Sequence, residues 1–355
     1  MMVEVSRKKW DTGMERLVED KWEGSWGELD RSYQKYHPQI ATSFEEEVKE
    51  YWGREWKSNT EIGRLRMVMM HRPGEEIKSI ERPYALWRWL EKPSLEEMVE
   101  DHERLVKAYR DEGVEVIIRR QEANEPPRLV KSIYTEDPSF PAVRGMIIGR
   151  MYDKLRRGEE LPTYQTYGEI ACPVVGIVHG RGMVEGGGVN WLDEKHLTIV
   201  VHYPRSNIGE AAVVHANEEG ARQVERIVKE QDPEADVKYG PGYGGGGLWL
   251  SPIDRHTSVS DPRYMDENFV KWLKTELQWQ FLVPPRELSF ISVSGIVLKP
   301  RKIVKASGTP KGTKWLESQG IEVVEVDISS LVVPRNSGTI QCLTRELIRE
   351  PEPKD

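Results

Sequence analysis

The feature that most constrains the fold of this chain is a recurring unit of strand, helix and strand. In its clearest copy, the apolar segment 64–71 precedes a helical pattern over residues 94–111, and a second apolar segment follows at 114–118. Ser94, with Glu97 three residues later, is typical of a helix N-terminus, and Gly113 is a typical stop. Alternating strands and helices of this kind predict an α/β protein.

The same unit recurs twice more with weak sequence similarity. A helical pattern at 217–231 precedes a short strand at 235–239, and a helix around 314–318 precedes a strand at 321–326. Between these copies lie segments that we interpret as hairpin arms: 146–151, 188–191 with 197–201, and 291–298 with 302–305. A hairpin–helix–strand unit present at least three times predicts pseudosymmetry, in which each unit covers the apolar face of its neighbour.

Residues 1–60 differ from the rest, because five tryptophans lie there among many charges: Trp10, Trp22, Trp26, Trp52 and Trp56. We interpret them as packing anchors rather than a ligand cage. A helix is expected over 44–52, with Ser43 as its N-cap and Glu46 completing a capping box. The predicted organisation is an N-terminal extension, 1–60, packed on a single catalytic domain, 61–355.

Composition excludes several function classes. With 51 basic and 59 acidic residues the net charge is −8, which disfavours nucleic acid or an anionic membrane as a partner. No apolar run suits a membrane helix or a signal peptide, and two cysteines suggest a reducing, cytoplasmic setting. The sequence has no CxxC, HExxH or phosphate-loop motif, so we expect neither a metal nor an organic cofactor. Cys172 is expected to be a buried structural thiol.

Four polar or glycine-rich segments interrupt the apolar strands, and each contains one candidate site residue: Asp137, Glu185, Arg205 and Cys342. Taken singly, each is equally well explained as a turn residue, a surface charge or a buried thiol. Together they form a coherent set. Two carboxylates can bind a planar guanidinium or amidinium, an arginine can hold a substrate carboxylate, and a thiolate can attack the carbon of the bound cation.

These segments resemble the superfamily of amidinotransferases, arginine deiminases and dimethylarginine dimethylaminohydrolases, which has the pentein fold. The resemblance runs from about residue 51 to 350 and is carried by WGREW…EIGRLRMVMMHRPG, DHERLVKAYRDEGVEVI, YTEDP, VEGGG, PRSN and SGTIQCLTREL. It implies a five-bladed pseudosymmetric α/β propeller with its active site at the centre. It places Asp137 and Glu185 on the family's cation-binding carboxylates, and Cys342 on its nucleophile. Arg205 and Asn207 fall on its Arg-x-Asn motif.

The chain departs from the family pattern at the general acid and base. Trp249 stands where the family has His, and Ser251 stands where it has Asp. We expect His256 to be the nearest replacement, with His202 and His215 behind it, and Trp249 to offer an aromatic wall to the substrate. Gly188 replaces a residue that is commonly Asp in the deiminases. Because an insertion follows Asn207, the stretch 215–217, His-Ala-Asn, is a rival for the Arg-x-Asn position.

The sequence therefore predicts a cysteine-dependent hydrolase, a deiminase or amidinohydrolase, that acts on a small guanidino or amidino molecule through a covalent cysteine adduct. One alternative is an amidinotransferase that passes the amidino group to an amine acceptor. A second is a non-catalytic binding protein of the same fold, because the family His is absent. The resemblance also leaves a homo-oligomer open.

Overall fold

The computed structural model describes residues 26–36, 43–120, 129–201, 215–241 and 250–351. Contacts divide the chain into two compact units, Met1–Glu47 and Val48–Asp355. Helix α1 spans Trp26–Tyr36, and α2 spans Phe44–Tyr51. The capping box of α2 forms as predicted, because the Glu46 amide donates to Ser43 Oγ and the Ser43 amide donates to the Glu46 carboxylate.

The larger unit contains five three-stranded sheets built on one plan. In each sheet the middle strand pairs antiparallel with an outer strand on one side and parallel with a strand on the other. A helix connects the two parallel strands, which is the usual crossover between parallel neighbours. The fold is therefore the predicted α/β propeller of five pseudosymmetric units.

The sheets follow one another along the chain. The first has the order β15–β1–β2, with β1 Arg64–Met70, β2 Glu115–Ile118 and β15 Arg345–Glu350. The others are β3 Ser139–Pro141, β4 Met146–Ile148 and β5 Val174–Ile177; β6 Val189–Trp191, β7 His196–Val200 and β8 Asp236–Gly240; β9 Pro252–Asp254, β10 Thr257–Val259 and β11 Gln280–Leu282; and β12 Ile296–Lys299, β13 Lys302–Ala306 and β14 Glu322–Val326. The crossover helices are α3 Leu95–Asp111, α4 Glu160–Glu169, α5 Glu218–Gln231, α6 Glu267–Thr275 and α7 Pro310–Ser318.

The first sheet is completed by the far end of the chain. Strand β15 pairs antiparallel with β1, and Val68 opposes Glu346 in that register. Parallel to β1 on its other side lies β2, where Val68 opposes Val116. Strand β15 thus supplies the outer strand of the first sheet. In each of the other sheets the outer strand comes directly before the middle strand in the sequence.

The N-cap predicted at Ser94 is present, and Asn217 forms a second cap that the sequence analysis did not assign. Ser94 Oγ accepts the Glu97 amide at 3.4 Å at the start of α3, and Asn217 Oδ1 accepts the Gly220 amide at 2.8 Å at the start of α5. Gly113 follows α3 with φ +77°, a conformation that glycine adopts without strain.

Helices α3 and α5 bury apolar stripes in two different apolar clusters, so the unit holds several such clusters rather than one. The cluster under α3 includes Leu105 and Val68, and the cluster under α5 includes Val224 and Ile199, all below 2% exposed. Trp56 is buried in the larger unit at 2% exposure. Trp10 and Trp22 lie outside the described residues, so packing of residues 1–60 on the body stays a prediction.

Within the described ranges, every helix is too short or too polar to cross a lipid bilayer.

Candidate active site

Three of the predicted site residues lie at equivalent positions, just before the outer strand of a sheet. Asp137 precedes β3, Glu185 precedes β6 and Cys342 precedes β15. The segments that carry Asp137 and Cys342 run side by side. The Glu136 amide donates to the Cys342 carbonyl at 3.2 Å, and Thr135 Oγ1 donates to the Leu343 carbonyl at 3.1 Å. The pseudosymmetry of the fold therefore brings these distant residues to one place.

Asp137 is buried and holds two hydrogen bonds. Its Oδ1 accepts the Gly187 amide at 3.0 Å, and its Oδ2 accepts from the guanidinium of Arg156. Burial alone would raise the pKa of Asp137, but the charges of Arg156 and His215 and these hydrogen bonds hold it below its usual value. Asp137 is therefore an anion at neutral pH, with one lone pair left on each oxygen.

Glu185 is oriented by the backbone of the segment after β4. Its Oε1 accepts the amides of Tyr152 at 2.8 Å and Asp153 at 3.3 Å. Its Oε2 lies 3.2 Å from Nδ1 of His215, whose side chain is about one-fifth exposed. We call Asp137 and Glu185 the carboxylate pair. Three of its lone pairs remain free for the N–H groups of a cation.

His215 is the histidine that contacts the carboxylate pair. Burial lowers the pKa of its imidazole, but the hydrogen bond to Glu185 and the charge of Asp137 outweigh burial and raise that pKa above its usual value. His215 precedes Ala216, which bridges to Val184, and Asn217, which caps α5. The rival stretch 215–217 thus lies beside VEGGG.

The three glycines after Glu185 permit this close packing. A Cβ on Gly187 would lie 2.7 Å from Asp137 Oδ1, and a Cβ on Gly188 would lie 2.4 Å from the Cβ of His215. Both distances are shorter than real Cβ atoms tolerate, so any side chain at either position would displace Asp137 or His215. The glycine backbone therefore lies close against Asp137 and His215.

Cys342 has a half-buried side chain whose Sγ lies 3.5 Å from Oγ1 of Thr339. Burial, followed by the charges of Glu136 and Asp137, raises the pKa of this thiol to about 12. Its thiolate therefore needs positive charge or loss of a neighbouring negative charge to form. Cys172 is buried at 2% exposure, as expected of a structural thiol.

Asp137, Glu185 and His215 have potential ligand atoms within 4.8 Å of one another. Their spacing follows from their pairing, because Glu185 contacts His215 and Asp137 contacts the permanently charged Arg156. A divalent cation bound to Asp137 would lie beside the positively charged guanidinium of Arg156, which already contacts that carboxylate. We therefore describe the cluster as a paired acid–base site and not as a metal centre.

Of the other predicted site residues, His256 is the one that the structure describes, and it is not among the residues of this cluster. His256 is exposed at the turn between β9 and β10, where its Nδ1 lies 3.1 Å from the Leu277 carbonyl. Its use as the base stays a prediction that this placement does not support. Arg205, Asn207 and Trp249, together with His202, lie outside the described residues. Ser251 is buried before β9.

Sequence reasoning missed Arg156, which stands in a run of charges that is typical of a solvated turn. The buried guanidinium of Arg156 contacts Asp137, both oxygens of Glu159 and the Tyr134 carbonyl. Burial raises the pKa of Glu159 to about 7 despite the charge of Arg156. The sequence carries no signal that separates this arginine from its exposed neighbours.

Lys131 was also missed, and it joins two loops of the site. Its ammonium donates to the Arg88 carbonyl at 2.7 Å, to Asn336 Oδ1 at 2.7 Å and to Ser337 Oγ at 3.1 Å. It also lies 4.5 Å from the ring centroid of Trp89. A lysine between apolar residues, as in the stretch LVKSIY, is the one signal that marks it as buried and paired.

Comparison with known proteins gives local sequence matches and global structural ones. No protein-family model matches the chain. An arginine deiminase of Streptococcus sanguinis (strain SK36) is 35% identical over 104 residues, which are 28% of this chain and 25% of that protein. An arginine deiminase of Streptococcus pneumoniae (strain Hungary19A-6) is 43% identical over 68 residues, 19% of this chain and 16% of that protein. These matches thus span a quarter or less of the relatives.

Solved structures match over most of the chain. The dimethylarginine dimethylaminohydrolase of Pseudomonas aeruginosa, in complex with citrulline, aligns with a TM-score of 0.61 over 80% of this chain and 100% of that one, at 18% identity. The chain has the pentein fold. Another structure with this fold, the inosamine-phosphate amidinotransferase of Streptomyces griseus, aligns with a TM-score of 0.59 over 85% of this chain and 99% of that one, at 14% identity. The resemblance seen in the sequence motifs is confirmed, and the pentein fold accounts for their order.

Proposed function

We propose that the chain is a cysteine-dependent hydrolase that removes an amine from a guanidino or amidino molecule. The observation that carries this proposal is the meeting of the carboxylate pair, His215 and the Cys342 segment at one place. A planar cation fits the three free lone pairs of the carboxylate pair, which would hold its central carbon for attack.

The reaction follows from the charges of these groups. Burial raises the pKa of Cys342, and the positive charge of the bound cation offsets this, so the thiol releases its proton to water and the thiolate forms beside the cation. The sulfur attacks the central carbon and forms a tetrahedral adduct. His215, protonated because its pKa is raised, donates a proton to the departing amine. A thiouronium-like adduct remains on Cys342.

Hydrolysis requires the same histidine in its other state. Neutral His215 takes a proton from a water molecule, the resulting hydroxide attacks the adduct carbon, and the carbon–sulfur bond breaks to restore the thiol. Glu185 orients the imidazole throughout through its Oε2. On the sequence prediction, Arg205 and Asn207 hold the other end of the substrate, and Trp249 flanks it. The reaction needs water alone as second substrate.

Thiol trapping tests the proposal. The Cys172→Ala variant is treated with 2-chloroacetamidine and with iodoacetamide, and the adduct mass and site are measured. We expect the cationic reagent to label Cys342 selectively and added guanidino compounds to slow that labelling. Asp137→Asn should abolish the selectivity. Asp254→Asn, which changes a carboxylate paired with Arg301 in another sheet, is the matched control and should keep it. Equal, slow labelling by both reagents would contradict the proposal and favour a non-catalytic binding protein.

Turnover then separates hydrolysis from transfer. With a substrate found by protection, ammonia or amine release without an added amine acceptor supports hydrolysis, and ping-pong dependence on an acceptor supports an amidinotransferase. Cys342→Ala should abolish turnover. His215→Gln should keep the trapping of Cys342 by amidine but lower turnover by about 10²–10⁴-fold, the usual contribution of a general acid or base.

A further inference from the structure

A polar cavity lies where the five sheets meet, on the inner side of the candidate active site. Its lining includes residues at or beside the start of the outer strand of every sheet: Glu136, Asn190, Pro252, Ile296 and Arg345. About 40 Å³ is open there to the centres of water molecules. That volume admits about three ordered waters.

Polar groups around this cavity lack hydrogen-bond partners that water would provide. Nδ2 of Asn190 and Nε of Arg345 are buried donors without a hydrogen-bond partner among the described residues, and both side chains are only 6% exposed. Three carboxyl groups, Glu61, Glu136 and Glu346, line the same space. Water satisfies both sets, because it donates to carboxylates and accepts from N–H groups.

Glu136 borders both the cavity and the active site. Its Oε2 lies 3.5 Å from the position that a Cβ on Gly187 would take. Asp137 Oδ1 and His215 Cε1 lie 2.7 Å and 3.2 Å from the same point. The Glu136 amide contacts the Cys342 carbonyl. One side chain thus connects the cavity water to the carboxylate pair and the nucleophile segment.

The surroundings of Glu136 favour its protonated form. Burial, followed by the charge of Asp137, raises the pKa of Glu136 to about 7. Burial, followed by the charge of Glu346, raises the pKa of Glu61 to about 8. The charged and titratable groups that act on Glu136 are Asp137, Arg345, His215 and Glu346 on the neighbouring segments, Glu61 across the cavity, and the thiol of Cys342. Negative groups outnumber positive ones there.

We propose that Glu136 is a positioning residue that controls the ionisation of Cys342, exchanging its proton through the water of the central cavity. This rests on the proposed function, since it concerns the same nucleophile. Protonated Glu136 is neutral and lets the thiol lose its proton to water. Ionised Glu136 places a negative charge beside the thiol and keeps it protonated. Because like charges repel, the two groups titrate as a coupled pair.

The same charge favours a cationic substrate. A guanidinium on the carboxylate pair offsets the negative charge of ionised Glu136, whereas a neutral electrophile does not. Glu136 therefore lowers the reactivity of Cys342 toward neutral reagents above neutral pH and preserves it toward cations. Glu61, across the cavity, is the second carboxyl that shares the proton.

The pH dependence of iodoacetamide labelling tests the proposal. In the Cys172→Ala background, the logarithm of the Cys342 labelling rate should rise with pH up to about 7 and flatten above it. Glu136→Gln should remove this break. At pH 8 that variant should react about tenfold faster than its parent, because one pH unit above the Glu136 pKa leaves about a tenth of the carboxyls protonated. At pH 5.5 the two should react alike.

Two controls assign the break to Glu136. His215→Gln removes the imidazole that contacts the carboxylate pair and should keep the break, while Glu136→Asp retains the charge and should also keep it. The folded state of each variant is checked by its thermal unfolding. A break that persists in Glu136→Gln, or a parent profile without one below pH 9, would overturn the proposal. The absence of a break is measured on the parent protein, so this test does not depend on the folding of any Glu136 variant.

The amidine reagent separates this proposal from the proposed function. Selectivity for 2-chloroacetamidine over iodoacetamide should fall in Glu136→Gln, since the neutral reagent gains and the cationic one does not. If the parent protein prefers the amidine but shows no pH break, the role of Glu136 is rejected and the proposed function is not. A parent with the break but no preference for the amidine rejects the proposed function and supports the control of the thiol by Glu136.

Discussion

His215 fills the space beside Gly188 that a side chain at that position would need. The deiminase family commonly has Asp there, and this chain has glycine with an imidazole packed against it. Glycine at this position makes room for the imidazole, because a Cβ on Gly188 would lie 2.4 Å from the Cβ of His215. The acidic and basic groups of this site are therefore arranged differently from the family pattern.

Gly188→Ala should move His215 away from Glu185. We expect the pKa of His215 to fall toward its ordinary value as the hydrogen bond is lost, and the variant to lose about 1–3 kcal/mol of unfolding free energy through overpacking. The titration of the His215 ring protons, followed by NMR, measures the first effect.

Gly168→Ala is the control for that substitution. Gly168 lies in α4 with open space where its Cβ would be, so the change should leave the pKa of His215 unaltered. It should also stabilise the helix slightly, because alanine has the higher helix propensity. An unshifted His215 in Gly188→Ala would contradict the steric account.

The residues of the site could be foreseen only in part. Asp137, Glu185 and Cys342 could be named from their motifs, and the structure brings their segments together. His215 was named as a candidate base behind His256 and as part of a rival for the Arg-x-Asn position, although Gly188 beside it was a usable signal. Arg156 and Glu136 could not be recognised, because their burial depends on segments far away in the sequence.

The start of each outer strand is the element that positions chemistry in this fold. Asp137, Glu185 and Cys342 each lie in the few residues before such a strand. The loop before β6 is held further by α5, because Asn217 accepts the Met183 amide at 3.0 Å and donates to the Arg181 carbonyl at 2.8 Å. The cap of a helix therefore also fixes the segment that leads to Glu185.

Asn217→Ala should cost stability and also disturb the active site. Loss of the cap costs about 1 kcal/mol, and loss of the two loop contacts should slow amidine labelling of Cys342. Ser94→Ala removes the corresponding cap of α3 and is the matched control. It should cost a similar free energy, measured by urea unfolding, without altering the labelling rate. Equal labelling rates in the Asn217→Ala and Ser94→Ala variants would show that Asn217 stabilises α5 and does not influence the active site.

Elements with strong local signals were predicted well. The bounds of α3, α5 and β1 lie within one residue of expectation, because periodicity, N-caps and stop glycines agree there. The fourth sheet and α4 were not predicted. Strands β9–β11 are three residues each, and α4 contains Pro162, so local pattern carries little information. The segment 291–298 was expected to be one strand, but it starts with a 3₁₀ turn, Phe290–Ser292.

At the scale of the whole molecule, carboxyl groups buried at the centre lower the stability of the folded state when they ionise, because they are held away from bulk water. Burial raises the pKa of Glu61 to about 8, so the folded state binds a proton there that the unfolded chain releases above pH 4.5. Stability therefore falls as pH rises, through the window from about 4.5 to 8.

Glu61→Gln should remove part of that pH dependence. The variant should be more stable than its parent at pH 8, by at least about 1 kcal/mol, and should differ little at pH 4.5. Thermal unfolding at the two pH values measures the difference. Glu322→Gln, at an exposed ion pair with Lys302, is the control and should show no gain at pH 8. A parent whose stability is unchanged between pH 5 and 8 would contradict the account.

The pairing of β15 with β1 also has a consequence for synthesis. During synthesis β1 leaves the ribosome before the strands of the other four sheets, and the strand that covers its outer edge follows all of them. Strand β1 is largely buried and rich in methionine and valine, so the nascent chain carries an open apolar edge for tens of seconds at ordinary translation rates. The first blade is therefore completed only after the strands of the other four have been made, and the growing polypeptide is a natural client for chaperones that shield unpaired strands.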